Sequence, residues 1–445
     1  MGQIKQFRDP KLSLWQSAVE EVVARKTAGA QTLSIGAAPV ISGRPDPDQF
    51  MMKDSAAYCT AVDSGAPIPQ TAPGAAATEG LIETLGYCSL SALKLAKAII
   101  GGQQQDKDRL KADFQKFGGC NPGYVEAAIK YAEYFIAGGK KIPYRGYTDL
   151  GQYVIDGKLP AGATIAILGD WGTGEQPAKT LLKQIADKNP DVVFHLGDVY
   201  YSGTEFEDSN YFYNPWTQIL NLASRPIPTF TLSGNHDMYC GGVPYYNLID
   251  KLGQPASYFC LRNDNWQFLA MDTGLHDANP SSAGQGATFL EDSEVAWLKD
   301  KIDNAGARRT VLLSHHQLFS AFEPIDGNKA NLRLYPQVSA FLPKTALWLW
   351  GHEHSFVVYG PFMNLKRGRC IGHAGFPVAA GPMNAKFPDV PLITKDAGGN
   401  PIALGATSGL FNHGYAMMKL DGAAATVAYY QDSDPVHPMF VESID

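Results

Sequence analysis

Residues 163–172 read ATIAILGDWG and residues 191–201 read DVVFHLGDVYY. Each is an apolar run of strand length that ends abruptly in Gly-Asp. Such runs, bounded by turn residues, predict strands buried on both faces. Between them, Ala178 to Asp187 carries Leu181, Leu182, Ile185 and Ala186 on one face of a predicted helix. Downstream the pattern recurs. Strands are predicted over Pro228 to Leu232, Trp266 to Met271, Thr310 to Leu313, Ala346 to Trp350 and Cys370 to Gly372, with a helix from Asp292 to Asn304. Alternation of this kind predicts a layered α/β fold.

Five short polar segments follow these strands directly: Gly169-Asp170-Trp171-Gly172, Gly197-Asp198-Val199-Tyr200-Tyr201, Gly234-Asn235-His236-Asp237, Ser314-His315-His316 and Gly351-His352-Glu353-His354. In open α/β sheets, sites collect at the carboxyl ends of strands, where the loops converge. Glycine before four of the five polar residues lets the backbone turn sharply and approach an ion. Carboxylates, imidazoles and an amide suit first-row divalent or trivalent metals, and the absence of thiolate argues against a structural zinc site. Any one of these segments is weak evidence, because a single Gly-Asp or a lone His after a strand is commonplace. Five in this order are not.

Upstream, the texture differs. Helices are expected from Leu12 to Ala28, from about Ser89 to Ile100, and from the N-cap Asn121 with Pro122 to Gly138-Gly139, with an irregular stretch from about Ser42 to Ala77. The chain is too long for one ordinary core at 445 residues. The composition shift near Pro143 and Pro160-Ala-Gly162 therefore suggests a mostly helical region over 1–150, of unassigned role, and a second domain over 160–445. A net charge of −7 disfavours a nucleic-acid partner. No apolar run approaches the ~20 residues of a membrane span. The N-terminus lacks the apolar stretch of a secretory signal. That puts the cytoplasm ahead, with a secreted or periplasmic mature form still open. The six cysteines, at 59, 88, 120, 240, 260 and 370, have no metal-binding spacing and leave both disulfides and free thiols open. Oligomeric state is not legible.

The five segments resemble the signature of the calcineurin-like metallophosphoesterases and, more narrowly, its purple acid phosphatase variant: GDxG, GDxxY, GNH followed by Asp or Glu, VxxH, and GHxH. The likeness runs from about residue 163 to 430. Leu312 stands where the family has Val, and Gln317 where it usually has Pro. In the wider family the first motif is DxH. Here Gly172 replaces that His, and Tyr201 supplies a phenolate instead; the two changes are coupled. The resemblance implies a four-layer α/β/β/α sandwich over the second domain. It also implies Fe(III) held by Asp170, Asp198, Tyr201 and His354, and Fe(II), Zn(II) or Mn(II) held by Asp198, Asn235, His315 and His352. Asp198 would bridge ions about 3.5–4 Å apart.

The reaction so implied is hydrolysis of small-molecule phosphate monoesters by a metal-bound hydroxide, with His236 as general acid to the leaving group. A phosphodiesterase on the same ligands is the alternative, and a metal-bearing protein without catalysis the second. Asp237 would orient His236 or merely cap the turn. His316 and His373 are candidates for substrate contact or support of the ligands. His195, two residues before Gly197, reads more readily as core.

Overall fold

The computed structural model describes Tyr134 and residues 140–445, apart from Tyr201, Leu222, Ser224, 279–285, Ala379 and 408–409. These residues lie in the compact unit Ala127–Asp445. The helices expected over 12–28, 89–100 and 121–139 (Tyr134 apart), and the irregular stretch over 42–77, fall outside the described residues, as do Cys59, Cys88 and Cys120.

Two sheets carry the fold. The first has seven strands, in the order β1 (Val154–Ile155), β5 (Phe259–Arg262), β6 (Trp266–Ala270), β7 (Arg309–Ser314), β8 (Thr345–Trp350), β10 (Gly368–Ile371) and β9 (Phe356–Tyr359). The second has six: β15 (Phe440–Ile444), β14 (Ala424–Gln431), β13 (Gly414–Asp421), β2 (Thr164–Leu168), β3 (Val192–His195) and β4 (Thr229–Thr231). In each sheet the site-bearing strands run parallel: β2, β3 and β4 in one, β6, β7, β8 and β10 in the other. A short pair, β11 (Ala406–Thr407) and β12 (Leu410–Phe411), stands apart.

The apolar runs lack polar alternation because every central strand is covered on both sides. Ile165 and Ile167 of β2 face the layer between the sheets with Phe194, Phe259 and Phe268, whereas Ala166 and Leu168 face outward. In β8, Leu347 and Leu349 point inward, and Trp348 and Trp350 outward. Successive side chains on a strand point to opposite faces, so both sets need a partner layer. For the second sheet that layer is α1 (Gln176–Asp187) and α2 (Asn214–Leu220), through Leu181, Leu182, Ile185 and Trp216. Three further helices are α3 (Asn235–Met238), α4 (Val243–Leu252) and α5 (Asp292–Asp303). Trp297 and Leu298 of α5 cover the outer face of the first sheet. The stacking is helix, sheet, sheet, helix: the four-layer α/β/β/α sandwich expected.

The sheets are also tied by a charge pair. The Arg369 guanidinium on β10 donates through Nε and Nη2 to the two oxygens of Glu442 on β15, at 2.7 and 2.6 Å. Tyr429 donates to the same carboxylate at 2.8 Å, so the buried charges are paired and hydrogen-bonded.

Candidate metal centre

The ends of β2, β3, β4, β7 and β8 deliver the five polar segments to one place. The turns that do so are backbone-strained: Asp170, Asp198, His352 and His354 all have positive φ, at 61°, 74°, 68° and 39°. Non-glycine residues hold that conformation only where surrounding structure enforces it, and such residues cluster at functional sites. The neighbouring glycines answer a second need. A Cβ on Gly351 or Gly372 would come within 2.5 or 2.6 Å of Asp170 Oδ2, and one on Gly234 would run into the Asp198 carboxylate. Both carboxylates therefore lie against bare backbone.

One half of the site gathers His315 Nε2, His352 Nδ1 and Asn235 Oδ1, each 3.1 Å from the other two. Asp198 Oδ2 lies 3.3 Å from His315 Nε2. His315 Nδ1 is 2.9 Å from the Leu196 carbonyl; a carbonyl only accepts, so Nδ1 carries a proton and Nε2 is the nitrogen that faces the site. The Asn235 amide nitrogen donates to Tyr239 Oη at 2.5 Å, leaving Oδ1 aimed at the histidines. Acceptor atoms thus converge on His315 Nε2, whose own proton an ion would displace. Donors about 2.0–2.1 Å from one ion stand roughly 3.0–3.4 Å from each other, which is the spacing here. The donor set fits a metal.

The other half gathers Asp170, His354 and a phenol. Asp170 Oδ1 and His354 Nε2 are 3.4 Å apart, and Tyr200 Oη lies 2.8 Å from the first and 2.9 Å from the second. Asp170, Asp198 and His354 offer donor atoms close enough to share an ion, as do His315, His316 and His352. Tyr201 lies outside the described residues. Among the described residues, the phenol that reaches this half is that of the neighbouring Tyr200, which is fully buried and to which motif spacing does not point. The local signal for it is Gly172. Val199 pairs with Gly172 as an isolated bridge, the Tyr200 amide donates to the Gly172 carbonyl at 3.0 Å, and a Cβ on Gly172 would meet Asp198 O at 2.6 Å. Residue 172 is bare because the Asp198–Tyr200 segment packs directly on it.

Electrostatics follow from burial. Burial opposes charge on His315, but the Asp198 carboxylate outweighs it and lifts the imidazole to about 9. Burial raises the Asp198 carboxyl, yet His315 and the other histidines hold it well below its usual range. His352 and His316 are driven well below theirs by burial and by neighbouring histidines. Neutral imidazole is the ligating form.

The remaining candidates each have a place. Asp237 accepts from the backbone amides of Asp198 (2.9 Å), Gly234 (2.6 Å) and Val199 (3.1 Å), so it clamps two ligand loops together. Burial and the Asp198 charge push its carboxyl up to about 7 against those bonds. His236 is buried between the rings of Tyr200 and Tyr239, each centred 4.8 Å away, and its amide donates to Asp198 Oδ1 at 3.1 Å. His316 packs on His352 and spans Thr273 Oγ1 (3.1 Å) and Asp277 Oδ2 (3.2 Å). His195 lies beneath the site: Nδ1 is 2.9 Å from Thr231 Oγ1, and Nε2 accepts from the Trp171 amide at 3.4 Å. Burial pushes it down to about 3, a neutral core imidazole. His373 is buried beside Phe356, farther down the same sheet end. Cys260 and Cys370 are buried free thiols. Among the described residues, no helix is long and apolar enough to cross a membrane.

Comparison with known proteins agrees with this geometry. The sequence model of the family described as Calcineurin-like phosphoesterase matches residues 163–356. The glycerophosphodiester phosphodiesterase GpdQ of Enterobacter lignolyticus (strain SCF1) is 26% identical over 176 residues, 38% of this chain and 58% of the relative. The chain thus spans little more than half the length of that curated relative. Among solved structures, a dimetal phosphatase from Danio rerio aligns with 12% identity and a TM-score of 0.43, covering 64% of this chain and 99% of its own. GAP50, the anchor in the inner membrane complex of Plasmodium, aligns with 13% identity and a TM-score of 0.44, covering 64% and 89%. The stretch that delivers all the candidate ligands lies within the residues that the family model matches.

Proposed function

We propose that this chain hydrolyses phosphoesters at a dinuclear metal centre. The observation that carries the reading is the convergence of acceptor atoms from five strand ends into two adjacent donor sets. Asp170, Tyr200 and His354 would hold the first ion, and Asn235, His315 and His352 the second, with Asp198 between them. A phenolate is a hard anionic donor, so Fe(III) suits the first position. The neutral donors of the second suit Fe(II), Zn(II) or Mn(II). The donor types resemble those of the purple acid phosphatase pattern, whose spacing names Tyr201 rather than Tyr200 for the phenol. Bound there, the ions supply Lewis acidity that lowers the pKa of water and polarises phosphoryl oxygens.

The chain's own residues do the rest. His236, held between two tyrosine rings, donates a proton to the leaving oxygen. Asp237 fixes the two loops through their amides, and His195 supports the first from below.

Sequence motifs suggest monoesters; the activity named for the relative favours diesters, and we place phosphodiesters first. The test pairs a chromogenic diester with its monoester analogue, using metal-loaded protein before and after chelation. Metal-dependent turnover with the diester faster supports the reading. A faster monoester returns the monoesterase assignment, and turnover of neither with both ions bound refutes hydrolysis.

A further inference from the structure

A cleft of about 230 Å³ opens beside His354. Phe322, Val357, Val378, Met383 and Phe411 form its apolar wall, and Glu323, Glu353, His354, Ser355, Asn384 and Lys386 its polar one. Met383 is 43% exposed, unusual for a thioether with no covering layer. Four of these side chains, Val357, Val378, Met383 and Phe411, lie beyond residue 356, outside the stretch matched to the family.

The charges around the cleft narrow what can enter. Lys386 lies 3.7 Å from Glu323 and is already paired. Glu353 receives hydrogen bonds from Ser320 and from Tyr359 Oη. Two carboxyl groups and one paired ammonium offer nothing to a further phosphate or carboxylate, and burying an unpaired anion there would be costly. An apolar cavity of about 150 Å³ is large enough for a benzene ring, so this one admits a single ring or a short branched chain.

We propose that the cleft is the subsite for an uncharged aryl or branched-alkyl ester group, and so selects phosphoesters of apolar alcohols over those of phosphorylated or acidic ones. The proposal rests on the phosphoester reading above, because His354 joins the cleft to the candidate metal centre.

Phosphonates test it without turnover, since their P–C bond is not hydrolysed. Binding of phenylphosphonate and methylphosphonate to metal-loaded full-length protein is measured by calorimetry, in the native chain and in Phe411→Ala and Val378→Asp. The native chain should bind the phenyl compound at least about tenfold more tightly, the advantage of burying one ring. Both substitutions should cut that ratio below about threefold while leaving methylphosphonate affinity unchanged. Val378→Asp covers the case in which Phe411→Ala fails to fold. A native ratio near one, with both compounds bound, overturns the subsite alone, as does a tenfold ratio that survives the substitutions. If neither phosphonate binds while both ions are present, the phosphoester reading falls and the subsite falls with it.

Discussion

The two halves of the candidate centre are built differently. The His315–His352–Asn235 half, the neutral-donor half, has no carboxylate of its own, and two of its three residues follow their strands without left-handed backbone. The Asp170–Tyr200–His354 half is anionic; both its carboxylate and its histidine sit at positive φ, beneath glycines whose missing side chains make room for Asp170. Strain is concentrated where negative charge is most tightly enclosed. The difference teaches that the anionic half depends more heavily on enforced backbone geometry, to which the other half contributes His352 alone.

Removing what the halves share should have the largest effect. Asp198→Ala should release both ions and lower turnover by more than about 10⁴-fold, beyond the usual range for one general acid. Metal analysis that still finds two ions would break the picture of a common bridge. His236→Ala should cost roughly 10²–10⁴-fold while both ions stay; ion loss would make His236 a ligand and redraw both halves.

A sharper comparison comes from the tyrosines. With Fe(III) bound, Tyr200→Phe should abolish the visible phenolate band, and Tyr201→Phe should leave it. The reverse result returns the phenolate to Tyr201, where motif spacing puts it. His315→Ala should remove one ion and keep the band, since it touches only the neutral half; loss of the band would show that the halves do not load separately. The smallest effect is expected from Asp237→Asn, which weakens the amide clamp without touching an ion. Metal affinity should fall about 10–100-fold, the usual consequence of losing a group behind the ligands. Titration of the metal-free protein with Zn(II) reads it, and an unchanged affinity would reduce Asp237 to a turn cap.

Much of the architecture could be read in advance because burial on both faces leaves a simple record. β2, β3, β4, β6, β7, β8 and β10, with α1 and α5, fall where apolar runs and helical spacing place them. The strands β13 to β15 were not anticipated. They mix exposed and buried residues, as in Lys419 and Asp421 on β13, and β13 joins β2 only through a pairing about 250 residues away along the chain. Local pattern carries no trace of such a partner.

The site divides in the same way. Sequence by itself determined the chemistry available: carboxylates, imidazoles and an amide placed after strands, with glycines to let them crowd together. Those choices are local, made by each strand end and its turn. The approach of Tyr200 to the centre was not legible locally. Tyr200 and Tyr201 are adjacent and chemically identical, and motif spacing names Tyr201. The left-handed turn at Asp198 and the packing of Val199 on Gly172 bring Tyr200 to Asp170 and His354. The cleft formed by Phe322, Val378 and Phe411 likewise exists only once distant segments meet. Residue type can be read from a string of letters; side-chain direction depends on backbone dihedrals and tertiary contacts, and only the folded structure decided those.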